Sequence, residues 1–218
     1  MFIGLDESIS GQHYVLGATI SFSEQTTKSI LTDFRKIIRS SNLKNSEIRK
    51  INQDPKEKIL YDNFPNQLVK YLDLIANEKI RKGKIEPRRN LFLLAAYYVI
   101  REPKMSEELK FHAFELTFRS IMDQVFMYEL FDKTDSYKFV FDRFDSSDQS
   151  DYAKKNVLDY STQKYPHIKH SIEHGIGHVA LNVADIVAGT SRRHIEGIRP
   201  NEFHTIKPMF INEPIKVN

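Results

Sequence analysis

The sequence predicts an α/β fold in which a mixed β-sheet is flanked by helices. Short apolar runs of strand length alternate along the chain with longer segments whose apolar residues recur every three or four positions, as expected for alternating strands and helices. Only a short polar segment separates the first two runs, which indicates a hairpin and therefore some antiparallel pairing. Hydrophobic residues make up 40% of the 218 residues, enough for the core of one large domain.

The first half of the chain is predicted to begin with this hairpin and to continue into helices. Strand formers fill both arms, and residues 8–12 supply turn chemistry. Ser23 is the expected cap of the helix that follows, and Pro65 is expected to interrupt a later one. In order, the expected elements are strand 2–7, strand 13–22, helix 25–40, an irregular polar segment 41–54, a helix after Pro55 and a basic connection 77–90.

The second half is predicted to alternate strands with longer helices. Residues 91–100 form an apolar run that we interpret as a buried strand, with a short helix as the alternative. Aromatic and aliphatic side chains at three- and four-residue spacing then predict one long helix. In order, the expected elements are helix 106–132, strand 137–142, helix 149–164, a strand around 168–172 and helix 178–194.

These elements are predicted to form one domain over residues 1–195, with a helical and basic insertion around 41–90. Three prolines mark residues 196–218 as an irregular tail. The N-terminus lacks the basic region and long apolar core of a signal peptide, and the longest nearly uncharged apolar run is too short to span a bilayer. A cytoplasmic location without a membrane partner is therefore expected.

Several chemistries have no support in the sequence. The chain has no cysteine, which excludes disulfides, thiolate metal sites and cysteine nucleophiles. It also has no dinucleotide-binding glycine motif, no P-loop and no Gly-x-Ser-x-Gly. Cofactor redox chemistry, P-loop ATP hydrolysis and nucleophile-elbow catalysis are therefore not indicated.

Three aspartates stand at the end or on the face of apolar elements. Asp6 follows the first strand, Asp142 follows residues 137–141, and Asp185 lies in a small-residue, apolar helix. Burying a carboxylate is costly without a partner or a metal, so we expect the three to converge on Mg²⁺ or Mn²⁺, which prefer oxygen ligands. The alternatives are turn residues that leave strands and a solvated acidic loop over 142–151.

The helix around Asp185 carries a strip of functional residue types. At three- and four-residue spacing, Asn182, Asp185, Gly189 and Arg192 share one helix face. Small residues beside the strip would let the helix approach a sheet or a ligand closely. The alternative is a solvent-facing strip on an amphipathic helix.

Two segments resemble a known family. The chain reads Asp-Glu-Ser at residues 6–8 and Leu-Asn-Val-Ala-Asp-Ile-Val-Ala-Gly at 181–189. It thereby resembles the domain of unknown function 3800 family, which is considered similar to ribonuclease H-like nucleases. The family pattern is Asp-Glu-Ser-Gly near the start and Leu-Gln-x-Ala-Asp-x-x-Ala-Gly near the end. Here Ile9 replaces the glycine and Asn182 replaces the glutamine.

The resemblance implies a ribonuclease H-like mixed sheet and a metal-binding core of Asp6, Asp142 and Asp185. It implies that Asn182 orients Asp185 or contacts substrate and that Arg192 helps to hold phosphate. Lys44 lies in a polar segment that loosely resembles one in relatives, and we include it among the candidate catalytic residues. A ribonuclease H-like centre usually has a fourth acidic ligand, for which the candidates are Glu7, Glu115 and Glu173.

Histidines and basic residues add weaker signals. The spacing of the histidines matches no zinc motif, although His174 or His178 could assist as a proton shuttle. The net charge is only +3, so local clustering matters more than the overall charge. Two basic clusters suit phosphate contacts, and four tyrosines could stack on bases or lie in the core. The clusters are Arg35, Lys36, Arg39, Lys44, Arg49 and Lys50, and Lys79, Arg81, Lys82, Lys84, Arg88 and Arg89; the tyrosines are Tyr61, Tyr71, Tyr97 and Tyr98.

The sequence therefore leads to three hypotheses about function. The first is a divalent-metal-dependent nuclease that hydrolyses phosphodiester bonds in DNA or RNA. The second is a nucleic-acid-binding or regulatory module that keeps the fold without effective catalysis. The third is a metal-dependent phosphoesterase that acts on nucleotides or other small phosphate esters. Divalent binding separates the first and third from the second, and polymer turnover separates the first from the third.

Overall fold

Within the described part of the chain, a six-stranded mixed sheet forms the centre of the computed structural model. The structure describes residues 1–53, 55–81, 84–87, 90–102, 104–128, 136–141, 147–164, 166, 169–174 and 179–217. The strands lie in the order β7-β6-β1-β2-β5-β8. They are β1 (Phe2–Ile9), β2 (His13–Ser21), β5 (Leu91–Val99), β6 (Ser136–Phe141), β7 (Lys169–His174) and β8 (Ile215–Val217).

Both kinds of strand pairing occur in this sheet. Strands β1, β2 and β5 form an antiparallel meander, while β6 runs parallel to β1, β7 parallel to β6 and β8 parallel to β5. Two further strands, β3 (Asn77–Arg81) and β4 (Lys84–Pro87), pair as a separate antiparallel hairpin. The predicted α/β fold with a mixed sheet is confirmed.

Helices cover both faces of the sheet. On one face, α5 (Glu107–Met127) and α6 (Ser147–Lys164) pack on a core that includes Ile3, Leu5 and Phe139. The helices assigned to the other face are α1 (Glu24–Arg39), α2 (Asn45–Gln53), α3 (Glu57–Asn63), α4 (Pro65–Ala76), α7 (Val179–Ile195) and α8 (Pro200–Ile206). Ser23 caps α1 and Ser106 caps α5 with their side-chain oxygens, which satisfies otherwise unpaired N–H groups.

Alternation along β1 decides which residues face α7. Ile3 and Leu5 belong to the core beneath α5, and successive strand residues point to opposite faces. Gly4 faces α7, since a Cβ at Gly4 would lie 2.8 Å from the Ala180 carbonyl oxygen. Asp6 and Ser8 follow at steps of two, so they share the α7 side of the sheet.

Most local predictions are confirmed. The opening hairpin, the helix capped by Ser23, the strand at residues 91–100 and the helix break at Pro65 all occur. Local signals suffice for these elements, since the hairpin turn and the proline each constrain only neighbouring residues.

Three segments that were expected to be irregular form regular structure instead. Residues 45–53 are α2, because Glu47 bonds back to the Lys44 N–H and Ile51 is fully buried. Residues 77–87 contain the β3–β4 hairpin. The predicted tail contains α8 and β8, and β8 pairs with the distant strand β5. The prediction of an irregular tail over residues 196–218 was therefore wrong.

Helices α2 to α4 are part of the main body of the fold. Ile51 of α2, Leu60 of α3 and Leu68 of α4 share a buried cluster with Val183 and Val187 of α7. The predicted insertion around residues 41–90 therefore contributes its helices to the layer that covers one face of the sheet.

Among the helices within the described residues, none combines the length and the apolar character needed to cross a membrane.

Candidate functional site

Helix α7 lies close to the sheet beside Asp6. Asp6 is directly opposite Gly17 in the antiparallel β1–β2 pair, so both residues face the same side of the sheet. A Cβ at Gly17 would lie 2.5 Å from the Ala188 nitrogen and 2.8 Å from the Ala184 oxygen. Asp185 lies in the helical turn between these two alanines. The turn that carries Asp185 therefore packs against Gly17, the residue directly opposite Asp6.

Asp6 is half-buried at this position, and one of its oxygens has a local partner. The Glu7 backbone N–H donates to Asp6 Oδ1 at 2.8 Å. Asp6 is therefore an acidic side chain at the boundary between the sheet and α7.

Asp185 is also half-buried and accepts a hydrogen bond from α3. The Glu57 backbone N–H, at the first residue of α3, donates to Asp185 Oδ2 at 2.5 Å. The carboxylate thus satisfies one of the N–H groups that a helix start leaves unpaired. The predicted site residue consequently serves as a tertiary cap for a neighbouring helix.

The charge of Asp185 affects the hydroxyl of Tyr71, a residue of the core. Its ring is fully buried and stacks on Phe34 at a centroid distance of 4.2 Å. Burial and, to a lesser extent, the negative charge of Asp185 raise the pKa of the Tyr71 hydroxyl, while the positive charge of Arg35 opposes the rise. Tyr71 is therefore a core residue that stays protonated, and the hypothesis that it stacks on bases is wrong.

Arg192 connects the C-terminal half of α7 to β1. Its Nε donates to Ser8 Oγ at 2.9 Å, and its Nη1 donates to Glu196 Oε2 at 2.8 Å. Glu196 Oε1 also lies 3.4 Å from Nδ1 of His13 on β2. The structure thus places Arg192 on the same side of β1 as Asp6, with the guanidinium held by a hydroxyl and a carboxylate.

The other residues of the predicted helix strip occupy different surroundings. Asn182 is half-buried, one turn before Asp185 on α7. Gly189 faces α3, since a Cβ there would lie 2.5 Å from the Glu57 side chain. Lys44 is exposed immediately before α2, where its backbone N–H donates to Glu47 Oε2 at 2.8 Å.

Two of the candidate fourth ligands lie away from α7. Glu7 faces the α5 side of the sheet, where it pairs with Lys110 of α5 and accepts from the Tyr14 hydroxyl at 3.3 Å. Burial and, to a lesser extent, the Glu7 charge raise the pKa of Tyr14. Glu115 pairs with Arg119 within α5 at 2.6 Å. The structure therefore does not bring Glu7 or Glu115 to Asp185.

Asp142 lies outside the described residues. Phe141, the last residue of β6, pairs with Leu5 in the parallel β1–β6 ladder, and Asp142 is the next residue in the sequence. His178 also lies outside the described residues, and the side chains of Glu173 and His174 are not described. Among the residues that are described, no group of three or more acidic or histidine side chains is placed to hold a metal ion.

A buried ionic cluster beside Asp185 was not predicted from the sequence. Arg193 is 1% exposed and pairs with Glu57 of α3 and, through its Nη2 at 3.0 Å, with Glu202 of α8. Its guanidinium carbon lies 4.1 Å from the centre of the Tyr61 ring. Burial lowers the pKa of the Arg193 guanidinium, and the Glu202 charge opposes the shift. Arg193 follows Gly189 by four residues, and this spacing was the signal that could have revealed it.

Comparisons with known proteins give little further information. No protein-family model and no curated protein sequence matches the chain. Among solved structures, it is similar to one described as the structure of the PCNA:RNase HII complex from Archaeoglobus fulgidus. The identity is 12% and the TM-score is 0.35, over 98% of this chain and 83% of that chain. An identity and a TM-score this low give no information about the site.

Proposed function

We propose that the protein is a divalent-metal-dependent nuclease that hydrolyses phosphodiester bonds in nucleic acid. The observation that supports this best is the contact between α7 and β2 at Gly17, which brings Asp6 and the Asp185 turn together. Two carboxylates from distant parts of the chain thereby share one side of a mixed sheet. The ribonuclease H-like architecture implied by the sequence resemblance is compatible with this sheet.

The side chains at this place suit Mg²⁺ or Mn²⁺. Asp6 and Asp185 offer hard oxygen donors and are half-buried, so each remains partly accessible. We propose Asp142 as the third ligand because it follows Phe141, the partner of Leu5. A bound ion would supply activation of water and neutralisation of charge on the leaving oxygen.

The residues around the carboxylates would position the substrate. Arg192 is held by Ser8 and Glu196, and a guanidinium with a fixed orientation suits bidentate contact with a phosphate. Asn182, one turn before Asp185, would orient that carboxylate or contact the substrate. Lys44 would contribute a phosphate contact from the exposed start of α2. Glu7 and Glu115 have their own partners on the α5 side and are not part of the proposed site.

A nucleic-acid partner is supported by the basic surface of the α1–α2 region. Arg39, Lys44, Arg49 and Lys50 are exposed there, on helices that belong to the same layer as α7. Charges of this kind contact phosphates without reading the sequence, and they make binding strongly dependent on salt. In the proposed function, this surface would contact the backbone of a polymeric substrate.

A second candidate function is a nucleic-acid-binding module without catalysis. One observation favours it: Asp185 Oδ2 already accepts the Glu57 N–H, so this carboxylate has a structural role that needs no metal. In that case the basic surface would bind nucleic acid, and divalent ions would have no effect on the protein.

Cleavage assays with matched variants test the proposed function. Labelled RNA, DNA, RNA–DNA hybrid and a mononucleotide ester are incubated with the protein in Mg²⁺ and in Mn²⁺. We expect cleavage of a polymer that requires the metal and is lost in Asp185→Asn, whose side chain can still accept the Glu57 N–H. Glu108→Gln, which removes an exposed acidic charge on α5, is the control and should retain cleavage.

The outcomes of this assay separate the three hypotheses. Turnover of the mononucleotide alone would indicate a small-substrate phosphoesterase. Binding of the polymers without cleavage would indicate the binding module. Equal cleavage by the wild type and by Asp185→Asn would contradict the proposed role of Asp185.

A further inference from the structure

We propose that Glu57 and Arg193 are positioning residues for Asp185. This inference rests on the proposed function, because its consequence is the affinity of the Asp185 carboxylate for a divalent ion. Neither residue would contact the ion or the substrate. Both would act through the backbone N–H of Glu57, which donates to Asp185 Oδ2 at 2.5 Å.

The Glu57 N–H can orient Asp185 only if the start of α3 is held in place. Helix α3 has seven residues, and its cap residue Lys56 makes no side-chain cap hydrogen bond. So short a helix has little stability of its own. Its position against α7 must therefore come from tertiary contacts, which are the burial of Leu60 beside Val183 and Val187 and the contacts of Glu57.

The Glu57 side chain supplies such a contact. It is 4% exposed and pairs with the Nη1 of Arg193, which is 1% exposed. Gly189 leaves the space for this side chain, since a Cβ there would lie 2.5 Å from Glu57 Cδ and Oε2. Along α7, Asp185, Gly189 and Arg193 are spaced by four residues, so one helix face contacts Glu57 three times.

Arg193 is itself fixed from several sides. Glu202 of α8 accepts from its Nε at 3.2 Å and lies 3.0 Å from its Nη2, and the Tyr61 ring covers its guanidinium. A planar guanidinium presents several donors in a rigid fork, so it can bridge two carboxylates in a fixed geometry. Because the Glu57 carboxylate and the Tyr61 ring would still hold Arg193 without Glu202, the geometry at Asp185 depends on Glu57 more than on Glu202.

A pair of matched variants tests this inference. Glu57→Ala and Glu202→Ala each remove one carboxylate partner of the same arginine and leave the other in place. Of these two glutamates, Glu57 is the one whose backbone N–H donates to Asp185. Residues that orient a metal ligand typically change the metal affinity by about 10- to 100-fold when they are replaced.

We expect the Mn²⁺ dissociation constant, measured from the electron paramagnetic resonance of free Mn²⁺, to rise about tenfold or more in Glu57→Ala. In Glu202→Ala it should change by less than about twofold. Gly189→Ala, which displaces the Glu57 side chain without changing any charge, should raise the Mn²⁺ dissociation constant as Glu57→Ala does. Equal dissociation constants for the two glutamate variants would overturn the proposal, since a merely structural role would weaken both proteins alike.

Hydrogen exchange of the residue 57 amide gives a readout that needs no metal. We expect this amide to be protected in the wild type and in Glu202→Ala, and to exchange at least about tenfold faster in Glu57→Ala and Gly189→Ala. Unchanged protection in all variants would overturn the positioning role. If the exchange pattern holds while the wild type binds no Mn²⁺, the positioning of Asp185 stands and the proposed nuclease function fails.

Discussion

Replacing Arg193 by Met is expected to lower the free energy of unfolding by about 3–5 kcal/mol. The substitution leaves the Glu57 carboxylate, at 4% exposure, without the cation that pairs with it, while Glu202, at 8% exposure, keeps its contact with Arg199 at 3.4 Å. An unpaired buried charge costs far more than the pair itself contributes, because its hydration is not replaced. The loss of the Tyr61 ring contact adds a smaller cost. Urea unfolding followed by circular dichroism measures the effect.

Arg119→Met provides the matched control for this substitution. Arg119 pairs with Glu115 on the surface of α5 with half of its side chain exposed, so its replacement should cost less than about 1 kcal/mol. If Arg193→Met does not fold, the variant that also carries Glu57→Gln and Glu202→Gln should regain measurable stability, because it buries no unpaired charge. Equal costs for the two arginine substitutions would show that the buried cluster does not stabilise the fold.

Replacing Gly17 by Ala is expected to lower the free energy of unfolding by about 3 kcal/mol, the upper part of the usual range for overpacking. The added methyl group would meet the Ala184 oxygen and the Ala188 nitrogen at 2.8 and 2.5 Å. These are backbone atoms of α7, so the helix as a whole must shift away from β2. Chemical denaturation measures the loss, and the shift should also weaken divalent-ion binding because α7 carries Asp185.

Gly11→Ala is the matched control for the glycine substitution. A Cβ at Gly11 meets no atom within 4 Å, so the change should alter stability by less than about 0.5 kcal/mol. If Gly17→Ala were as mild as Gly11→Ala, the close approach of α7 to the sheet would not be a constraint on this fold.

Local sequence patterns predicted those parts of the fold that depend on neighbouring residues. The hairpin, the Ser23 cap and the break at Pro65 each follow from chemistry within a few positions. The spacing along α7 also brought Asp185 and Gly189 into one strip. Strand β8 could not be predicted, because its three residues become a strand only by pairing with residues 96–98.

The surroundings of the candidate site were less predictable than its carboxylates. Arg192 and Arg193 are adjacent in the sequence and look alike there, yet Arg192 is half-buried beside Ser8 and Arg193 is almost fully buried. The difference comes from Glu57 of α3, which is distant in sequence, and from Glu202 of α8, nine residues after Arg193, which supply the two carboxylates. Likewise, no local pattern indicates that the Glu57 backbone N–H donates a hydrogen bond to a residue 128 positions away.

We propose that Asp6 and Asp185 bind the same divalent ion, and Mn²⁺ binding to single and double Asp→Asn variants tests this directly. We predict that Asp6→Asn and Asp185→Asn each weaken binding by more than about 100-fold, beyond the range for residues that only orient a ligand. The double variant should be hardly weaker than either single one, because both changes remove one shared site. Glu108→Gln should bind as the wild type does. Unchanged Mn²⁺ binding in Asp6→Asn, or no Mn²⁺ binding in the wild type, would contradict a metal site shared by the two aspartates.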